Sequence, residues 1–157
     1  MTLTVYSPLG GEITPLHRVP DEVFASELVG SGLAVDPVDP LGTGGPCVAQ
    51  APISGKFVKL HPLAFVVQAE DGTAVLVHLG IDTVRLDGEG FHAHVREGDS
   101  VEVGQQVITF HPDAVRERGL SAMCPVVVLG SESGSAKPGA ASGIATVGSI
   151  LFTWPTS

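Results

Sequence analysis

The sequence has only two cysteines, Cys47 and Cys124, among its 157 residues. Two thiols so far apart do not form a disulfide framework, and neither has a cysteine or histidine at the spacing of a metal-binding pair. We therefore expect both to be small buried side chains in a reducing, cytoplasmic compartment. We also expect no secretory signal and no membrane insertion, because the first residues lack a basic segment followed by an apolar run and no apolar run reaches the length of a membrane span.

Positive charge is scarce as well. Eight Lys and Arg residues stand against 17 Asp and Glu residues, which gives a formal net charge of -9. The phosphates of nucleic acids and the headgroups of anionic lipids would repel such a surface, so neither is an expected partner. The same charge suits a basic protein partner, although an acidic surface that only aids solubility explains it equally well.

Aromatic residues make up 5% of the chain and hydrophobic residues 43%, so aliphatic side chains must provide most of the core. Short valine-rich runs separated by Gly, Pro, Asp and Ser predict strands, and Asp71-Gly72 and Asp87-Gly88 predict tight turns. Regularly spaced short strands predict an all-β antiparallel sandwich in a single domain, residues 1–157. The predicted strands are Thr2–Ser7, Gly11–Leu16, Gly32–Asp36, Cys47–Ala51, Gly55–His61, Ala64–Ala69, Ala74–Gly80, Asp82–Leu86, Gly90–Val95, Ser100–Val103, Gln106–Phe110, Pro125–Leu129 and Ile150–Trp154.

Two short helices are expected to lie against the sheet. Pro20–Val29 begins with Pro, Asp and Glu and stops before a glycine, and His111–Leu120 has an early proline and late arginines. Residues 131–142 are mostly Ser, Gly, Ala and Pro, which predicts a flexible surface loop before a terminal strand at 150–154. Residues 39–46 are a second loop rich in Gly and Pro.

His78 is the best candidate for chemistry among the six histidines. It lies in the apolar run Ala74–Gly80, where strand alternation places it on the face opposite Val75 and Val77. An imidazole among apolar neighbours has a free-energy cost unless it finds a partner or performs a reaction. Gly80 removes a side chain close to the ring and lets another group approach.

The sequence around this histidine resembles the active-site region of the glucose-type enzyme IIA domain of the bacterial phosphoenolpyruvate:sugar phosphotransferase system. The resemblance runs in order from about Ser7 to Leu129, which makes it far more specific than one motif. The matching stretches are Ser7–Gly11, Val19–Phe24, Val29–Ala34, Ala51–Gly55, Ala64–Phe65, Val77–Val84, Gly88–Phe91, Gly98–Val101 and Cys124–Val127, with Leu151–Trp154 as a last strand. It implies an antiparallel β-sandwich of the barrel-sandwich hybrid type with one or two short helices.

The resemblance implies a phosphocarrier. In that family, the histidine that matches His78 accepts a phosphoryl group from the phosphocarrier HPr and passes it to a cysteine of a sugar-specific enzyme IIB. Neutral imidazole is a nucleophile near pH 7, and phosphoryl transfer depends on positioning and charge stabilisation. We therefore expect HPr and a sugar-specific enzyme IIB/IIC permease as partners, and no organic cofactor or bound metal.

The resemblance also implies roles for residues near His78. Asp82 and Thr83 are expected to shape its surroundings, with Asp82 holding a basic residue of the donor. The family has an apolar docking rim, and the matching residues are Val23, Phe24, Leu28 and Val29. A short helix that buries these four side chains against the core explains them equally well.

Leu63 departs from the family pattern. The family carries a second active-site histidine just before Ala-Phe, and this chain has Leu63 there, before Ala64-Phe65. That histidine donates a hydrogen bond to the phosphoryl oxygens, which leucine cannot do. Losing one such donor typically costs about two to three decades in rate. The alternative function is therefore a phosphotransfer-impaired regulatory or binding module.

His61 is a possible partial substitute for the missing donor. Residues 61 and 63 are two apart on a predicted strand, so we expect their side chains to share a face about 7 Å apart. Pro62 stiffens the backbone between them. An ordinary histidine at the rim of the site is the competing interpretation.

A third hypothesis is a zinc hydrolase. The pairs His78–Asp82 and His92–His94 are similar to the zinc ligands of LytM-like peptidases. They follow each other too closely for that family, so we favour two surface histidines on one strand face and expect no metal site.

Overall fold

The computed structural model describes residues 2–38, 45–139 and 143–155, which form mainly antiparallel strands. The strands are β1 Thr2–Tyr6, β2 Gly11–Pro15, β3 Gly30–Pro37, β4 Cys47–Gln50, β5 Gly55–His61, β6 Ala64–Gln68, β7 Ala74–His78, β8 His92–Ala93, β9 Ser100–Val101, β10 Gln106–Phe110, β11 Cys124–Leu129, β12 Lys137–Pro138, β13 Ile144–Ala145 and β14 Ile150–Pro155. The helices are α1 Glu22–Ala25 and α2 Pro112–Glu117, with 3₁₀ turns at Leu16–Arg18 and Thr83–Leu86.

The strands of the described residues form three sheets. The largest has the order β13-β2-β3-β11-β7-β6-β5-β9, and the smaller ones are β1-β14-β12 and β4-β10-β8. Every pairing is antiparallel. This architecture, with its two short helices, agrees with the predicted all-β class. It also places β7, which carries His78, between β11 and β6 in the middle of the largest sheet.

One large cluster of buried side chains joins the three sheets. Its members include Val5 of β1, Phe110 of β10, Val126 of β11 and Phe152 of β14, all without solvent exposure. Most of the cluster is aliphatic, as the composition predicts. Because each fully buried side chain of this kind contributes about 1.5–3 kcal/mol, this cluster is the main source of stability of the sandwich.

A smaller cluster lies on the opposite face of the largest sheet. Val127 of β11 faces this cluster, whereas Val126 and Val128 face the large one, as strand alternation requires. Its other buried members are Leu16, Val19, Phe24, Ala34 and Ile81. The first 3₁₀ turn and α1 are therefore held on this face, on the side to which His78 turns.

The predicted strand Asp82–Leu86 is wrong, because Thr83–Leu86 forms a 3₁₀ turn. After β7 the chain passes through Gly80 at φ +79° and Asp82 at φ +59°. Left-handed residues at these two places cannot continue a strand. The Thr83 hydroxyl also donates to the Leu79 carbonyl at 2.8 Å, a local bond that competes with extended structure.

Both predicted helices exist, but they are shorter than expected. The left-handed Glu27, at φ +58°, follows the end of α1, and Gly119, at φ +79°, follows α2. The predicted tight turns do contain residues with positive φ, at Gly72 and at Asp87-Gly88.

The segment from residue 131 onward is partly structured. Lys137–Pro138 forms β12 on β14, and the Trp154 indole N–H donates to the Ser135 hydroxyl at 3.0 Å. Residues 140–142 of the predicted loop, and 39–44 of the other loop, lie outside the described residues. The flexibility of residues 131–142 and the single-domain extent stay predictions.

Both cysteines carry free thiols. Cys124 is buried and Cys47 is partly buried, and burial raises the pKa of Cys47 to about 11. Within the described residues, we find no helix that combines the length and the hydropathy of a membrane span.

Candidate functional site

His78 is the last residue of β7 and lies at an open depression of about 590 Å³. Val75 and Val77 of the same strand have no solvent exposure, whereas His78 is half-buried, so the ring lies on the opposite face as predicted. Ala64 of β6 pairs with His78. The depression is lined by His61, Pro62, Leu63, His78, Val84, Asp87 and Gly88.

One hydrogen bond defines the tautomer of this ring. Nδ1 of His78 lies 2.6 Å from the carbonyl oxygen of Gly80. A carbonyl oxygen can only accept, so Nδ1 carries the proton. In the neutral imidazole this leaves the lone pair on Nε2, which is then the nucleophilic nitrogen.

Burial lowers the pKa of His78 from its ordinary value of 6.5. The hydrogen bond to Gly80 and the carboxylates of Asp21 and Asp82 act in the opposite direction, but burial prevails. Asp21 is the N-cap of α1, and its Oδ1 accepts the Val23 N–H at 2.9 Å. The ring is therefore neutral at pH 7 although two carboxylates lie near it.

The NMR titration midpoint of His78 should lie below 6.5. Between the folded and unfolded pKa values the unfolded chain binds more protons at this residue, so its contribution to stability should rise with pH in that window. Asp82→Asn removes a charge that favours the imidazolium and should lower the midpoint further. Glu70→Gln, at the far end of the β6–β7 hairpin, is the control and should leave it unchanged. A midpoint above 6.5 in the wild type would contradict this account.

Gly80→Ala should destabilise the protein more than a matched glycine substitution. A Cβ at Gly80 would lie 2.5 Å from Cγ2 of Thr83 and 3.0 Å from the Ser121 carbonyl oxygen, whereas one at Gly72 would meet nothing within 4 Å. Both positions have positive φ, which costs an alanine about 1–2 kcal/mol, and the contacts at Gly80 add about 1–3 kcal/mol. Urea unfolding of Gly80→Ala and Gly72→Ala measures the difference, and equal losses would show that the contacts are harmless.

Thr83 stabilises the turn that follows His78. Its side chain has no solvent exposure, and its hydroxyl already donates to the Leu79 carbonyl. It therefore holds the turn after β7 and does not present a hydroxyl to the depression.

Leu63 and His61 both line the depression with His78. The chain turns at Pro62–Leu63, and His61 pairs with Ala64 across the hairpin. This corrects the expectation that residues 61 and 63 share one strand face. The Leu79 N–H donates to the Leu63 carbonyl at 2.7 Å, which fixes Leu63 beside the end of β7.

The residues expected to form an apolar rim differ in exposure. Val23 is 45% exposed and Leu28 is 74% exposed, whereas Val29 is partly buried against the small cluster. Phe24 is only 7% exposed, and its ring packs edge-on against the His78 imidazole with a centroid distance of 5.5 Å. Phe24 is therefore not an exposed rim residue, and only the first two side chains offer an apolar surface.

Sequence reasoning missed three residues near His78. Asp21 looked like a helix start only, although its carboxylate is also close enough to affect the ring. Val84, 66% exposed, and Asp87 line the depression because the 3₁₀ turn brings them there. The Asp-Gly at residues 87–88 was the available signal, since a turn there ends any strand.

His92 lies in another sheet, on β8, whereas His94 directly follows that strand, so only one of the two histidines expected on a strand face is in a strand. His92 belongs to β8 and pairs with Thr109, whose hydroxyl is also hydrogen-bonded to the ring of His94. Among residues 2–38, 45–139 and 143–155, no three His, Cys, Asp or Glu side chains are grouped closely enough to hold a metal ion. The zinc hypothesis therefore has no geometric support in these residues.

Comparisons with known proteins identify the family of this chain. Residues 3–133 match the family model described as phosphoenolpyruvate-dependent sugar phosphotransferase system, EIIA 1. The PTS system glucose-specific EIIA component of Oceanobacillus iheyensis is 37% identical over 131 residues, 83% of this chain and 76% of that protein. The component of the same name from Halalkalibacterium halodurans is 40% identical over 126 residues, 79% of this chain and 69% of that protein.

A solved structure shows the same fold. Glucose permease IIA from Mycoplasma capricolum superposes with a TM-score of 0.83 at 30% identity, over 98% of this chain and 96% of that one. This likeness confirms the predicted β-rich fold and, with the family match, the resemblance seen in the sequence. The chain therefore belongs to the EIIA 1 family of the phosphoenolpyruvate-dependent sugar phosphotransferase system.

Proposed function

We propose that this EIIA component accepts a phosphoryl group from phospho-HPr on Nε2 of His78 and passes it to a sugar-specific enzyme IIB. The observation that supports this most is the hydrogen bond from Nδ1 to the Gly80 carbonyl, because it leaves Nε2 as the nucleophile of a half-buried, neutral ring. No organic cofactor enters the proposal, and Mg²⁺ serves only the upstream kinase.

Each transfer exchanges one bond for another. The Nε2 lone pair attacks phosphorus, the new P–N bond forms, and the bond to the donor breaks. The proton on Nδ1 stays in place, and the Gly80 carbonyl stabilises the positive charge that develops on the ring. In the onward step a thiolate of enzyme IIB attacks phosphorus, and His78 leaves as a neutral imidazole.

The acidic residues near His78 suit a basic donor protein, and the exposed apolar side chains near it suit docking. The carboxylates of Asp21 and Asp82 would pair with basic residues of HPr, and the net charge of -9 would steer the encounter. Val23, Leu28 and Val84 supply exposed apolar side chains for docking. Association should weaken as salt screens the charges.

Leu63 affects the expected rate of phosphoryl transfer. It lines the depression at the place where a donor to the phosphoryl oxygens is expected, and its side chain cannot donate. His61 lines the same depression and is the available substitute donor. A phosphotransfer-impaired binding module is the alternative if this substitute is inadequate.

The proposal places the protein in the cytoplasm. A relay that begins with phosphoenolpyruvate draws on a cytoplasmic metabolite, and the enzyme IIB/IIC permease supplies the membrane-embedded part. The two free thiols are consistent with a reducing compartment.

A two-step relay assay tests the proposed function. The protein is incubated with labelled phosphoenolpyruvate, enzyme I and a cognate HPr, and the acid-labile label on the chain is counted. Enzyme IIB is then added, and the label should leave the chain. A mixture without HPr is the control and should give no label. A folded chain that takes no label from phospho-HPr would contradict the proposal.

A further inference from the structure

The ring of Phe24 packs against the His78 imidazole. The two rings meet at an interplanar angle of 62°, with 5.5 Å between their centroids. Such an edge-to-face arrangement is the preferred geometry for aromatic pairs and is worth more than its buried area alone. The contact therefore favours one plane of the imidazole over others.

The position of Phe24 is itself fixed by packing. It is 93% buried, being 7% exposed, within the small cluster that contains Leu16, Val19, Ala34, Ile81 and Val127. The neighbouring Val23 is 45% exposed, so the two adjacent side chains point into different environments. A ring held this firmly offers little surface to a docking protein.

The same cluster also fixes the segment that carries the hydrogen-bond acceptor of His78, the Gly80 carbonyl. Ile81 belongs to the cluster and directly follows Gly80, and its N–H donates to the Ser121 carbonyl at 2.9 Å. The aromatic contact and the acceptor carbonyl are thus parts of one packed unit. A disturbance at Phe24 would reach both supports of the imidazole.

We propose that Phe24 is a positioning residue for His78, whose ring holds the imidazole in the plane that keeps Nδ1–H on the Gly80 carbonyl and Nε2 at the depression. This rests on the proposed function only for its kinetic consequence, because the ring geometry exists without phosphotransfer. It assigns to Phe24 a task different from docking, which belongs to the exposed Val23.

Water exclusion is a second consequence of the contact. Burial is the main cause of the lowered pKa of His78, and Phe24 covers part of that ring. The charged groups that face the ring are Asp21 and Asp82, both of which act against the shift. Truncating Phe24 therefore admits water without changing a charge.

The test compares Phe24→Leu and Phe24→Ala with the matched control Val23→Ala. NMR of ¹⁵N-labelled histidine reports the tautomer and the titration midpoint of His78, with no phosphotransfer needed. Steady-state kinetics with phospho-HPr then separates kcat from KM. We expect both Phe24 variants to shift the nitrogen signals toward a mixture of tautomers and to raise the midpoint toward 6.5. Since small misplacements of a reacting group are costly, kcat should fall roughly ten- to hundredfold with KM little changed.

Val23→Ala is the control for the NMR readouts: the midpoint and the tautomer should stay at wild-type values, whereas the loss of a docking side chain should raise KM. Phe24→Leu keeps an apolar side chain in the cluster, so it decides the question even if Phe24→Ala fails to fold. Unchanged nitrogen signals and midpoint in the folded Phe24 variants would overturn the inference. If those signals shift but no variant, wild type included, accepts phosphate, then the positioning is right and the proposed function is wrong.

Discussion

His78→Ala should abolish phosphoryl acceptance, with no acid-labile phosphate on the chain after incubation with phosphoenolpyruvate, enzyme I and HPr. Alanine removes the imidazole whose Nε2 is the proposed nucleophile. Phosphoryl transfer gains its rate from a positioned nucleophile and stabilised charge, and this substitution removes the positioned nucleophile. The label should fall by at least about three decades, to the level without HPr.

His94→Ala is the matched control for this substitution. His94 is exposed and directly follows β8 of another sheet, and its ring is hydrogen-bonded to the Thr109 hydroxyl. This variant should be labelled at the wild-type rate. Label on folded His78→Ala at the wild-type level would show that another residue accepts the phosphoryl group.

Leu63→His should raise the rate of transfer to enzyme IIB by about two to three decades, the usual value of one preorganised donor to developing negative charge. Leu63 already lines the depression with His78, and its backbone is held by the bond from the Leu79 N–H. A histidine there would add an N–H beside the phosphoryl oxygens. Single-turnover transfer from the phosphorylated chain to enzyme IIB measures the gain.

Leu63→Met is the control, because it changes the shape of the side chain without adding a donor, and its rate should stay near that of the wild type. A second comparison measures the effect of His61→Ala in two backgrounds, the wild type and Leu63→His. If His61 is the substitute donor, its removal should cost more in the wild-type background than beside a new histidine. An unchanged rate in Leu63→His would show that Leu63 does not limit transfer.

The sequence was sufficient to predict on which face of its strand His78 lies. Its period-two pattern places the histidine opposite Val75 and Val77, and the structure buries both valines and leaves the histidine half-buried. The all-β class followed from the same reasoning, because short valine-rich runs between turn residues fit half-buried strands better than helices.

The turn after β7 could not be predicted from alternation. Residues 82–86 alternate like a strand, yet the left-handed Asp82 and the Thr83 hydroxyl bond turn them into a 3₁₀ turn. For the same reason, the sequence did not predict that Val84 lines the depression, to which that turn brings it. Local side-chain bonds of this kind outweigh a short hydrophobic pattern.

The tertiary contacts of the His78 ring could not be predicted from the sequence. Nothing in the order of residues places Phe24 against an imidazole 54 positions later, or Asp21 near the same ring. The break between Gly55–His61 and the strand that begins at Ala64 was predicted, but the expectation that residues 61 and 63 share a strand face ignored it.

The most direct test of the account is to locate the phosphate by NMR on ¹⁵N-histidine-labelled protein phosphorylated through HPr. We expect one phosphohistidine, at residue 78, with phosphorus coupled to Nε2 and the proton retained on Nδ1. Phosphate on Nδ1 of His78, or on any other histidine, would contradict it.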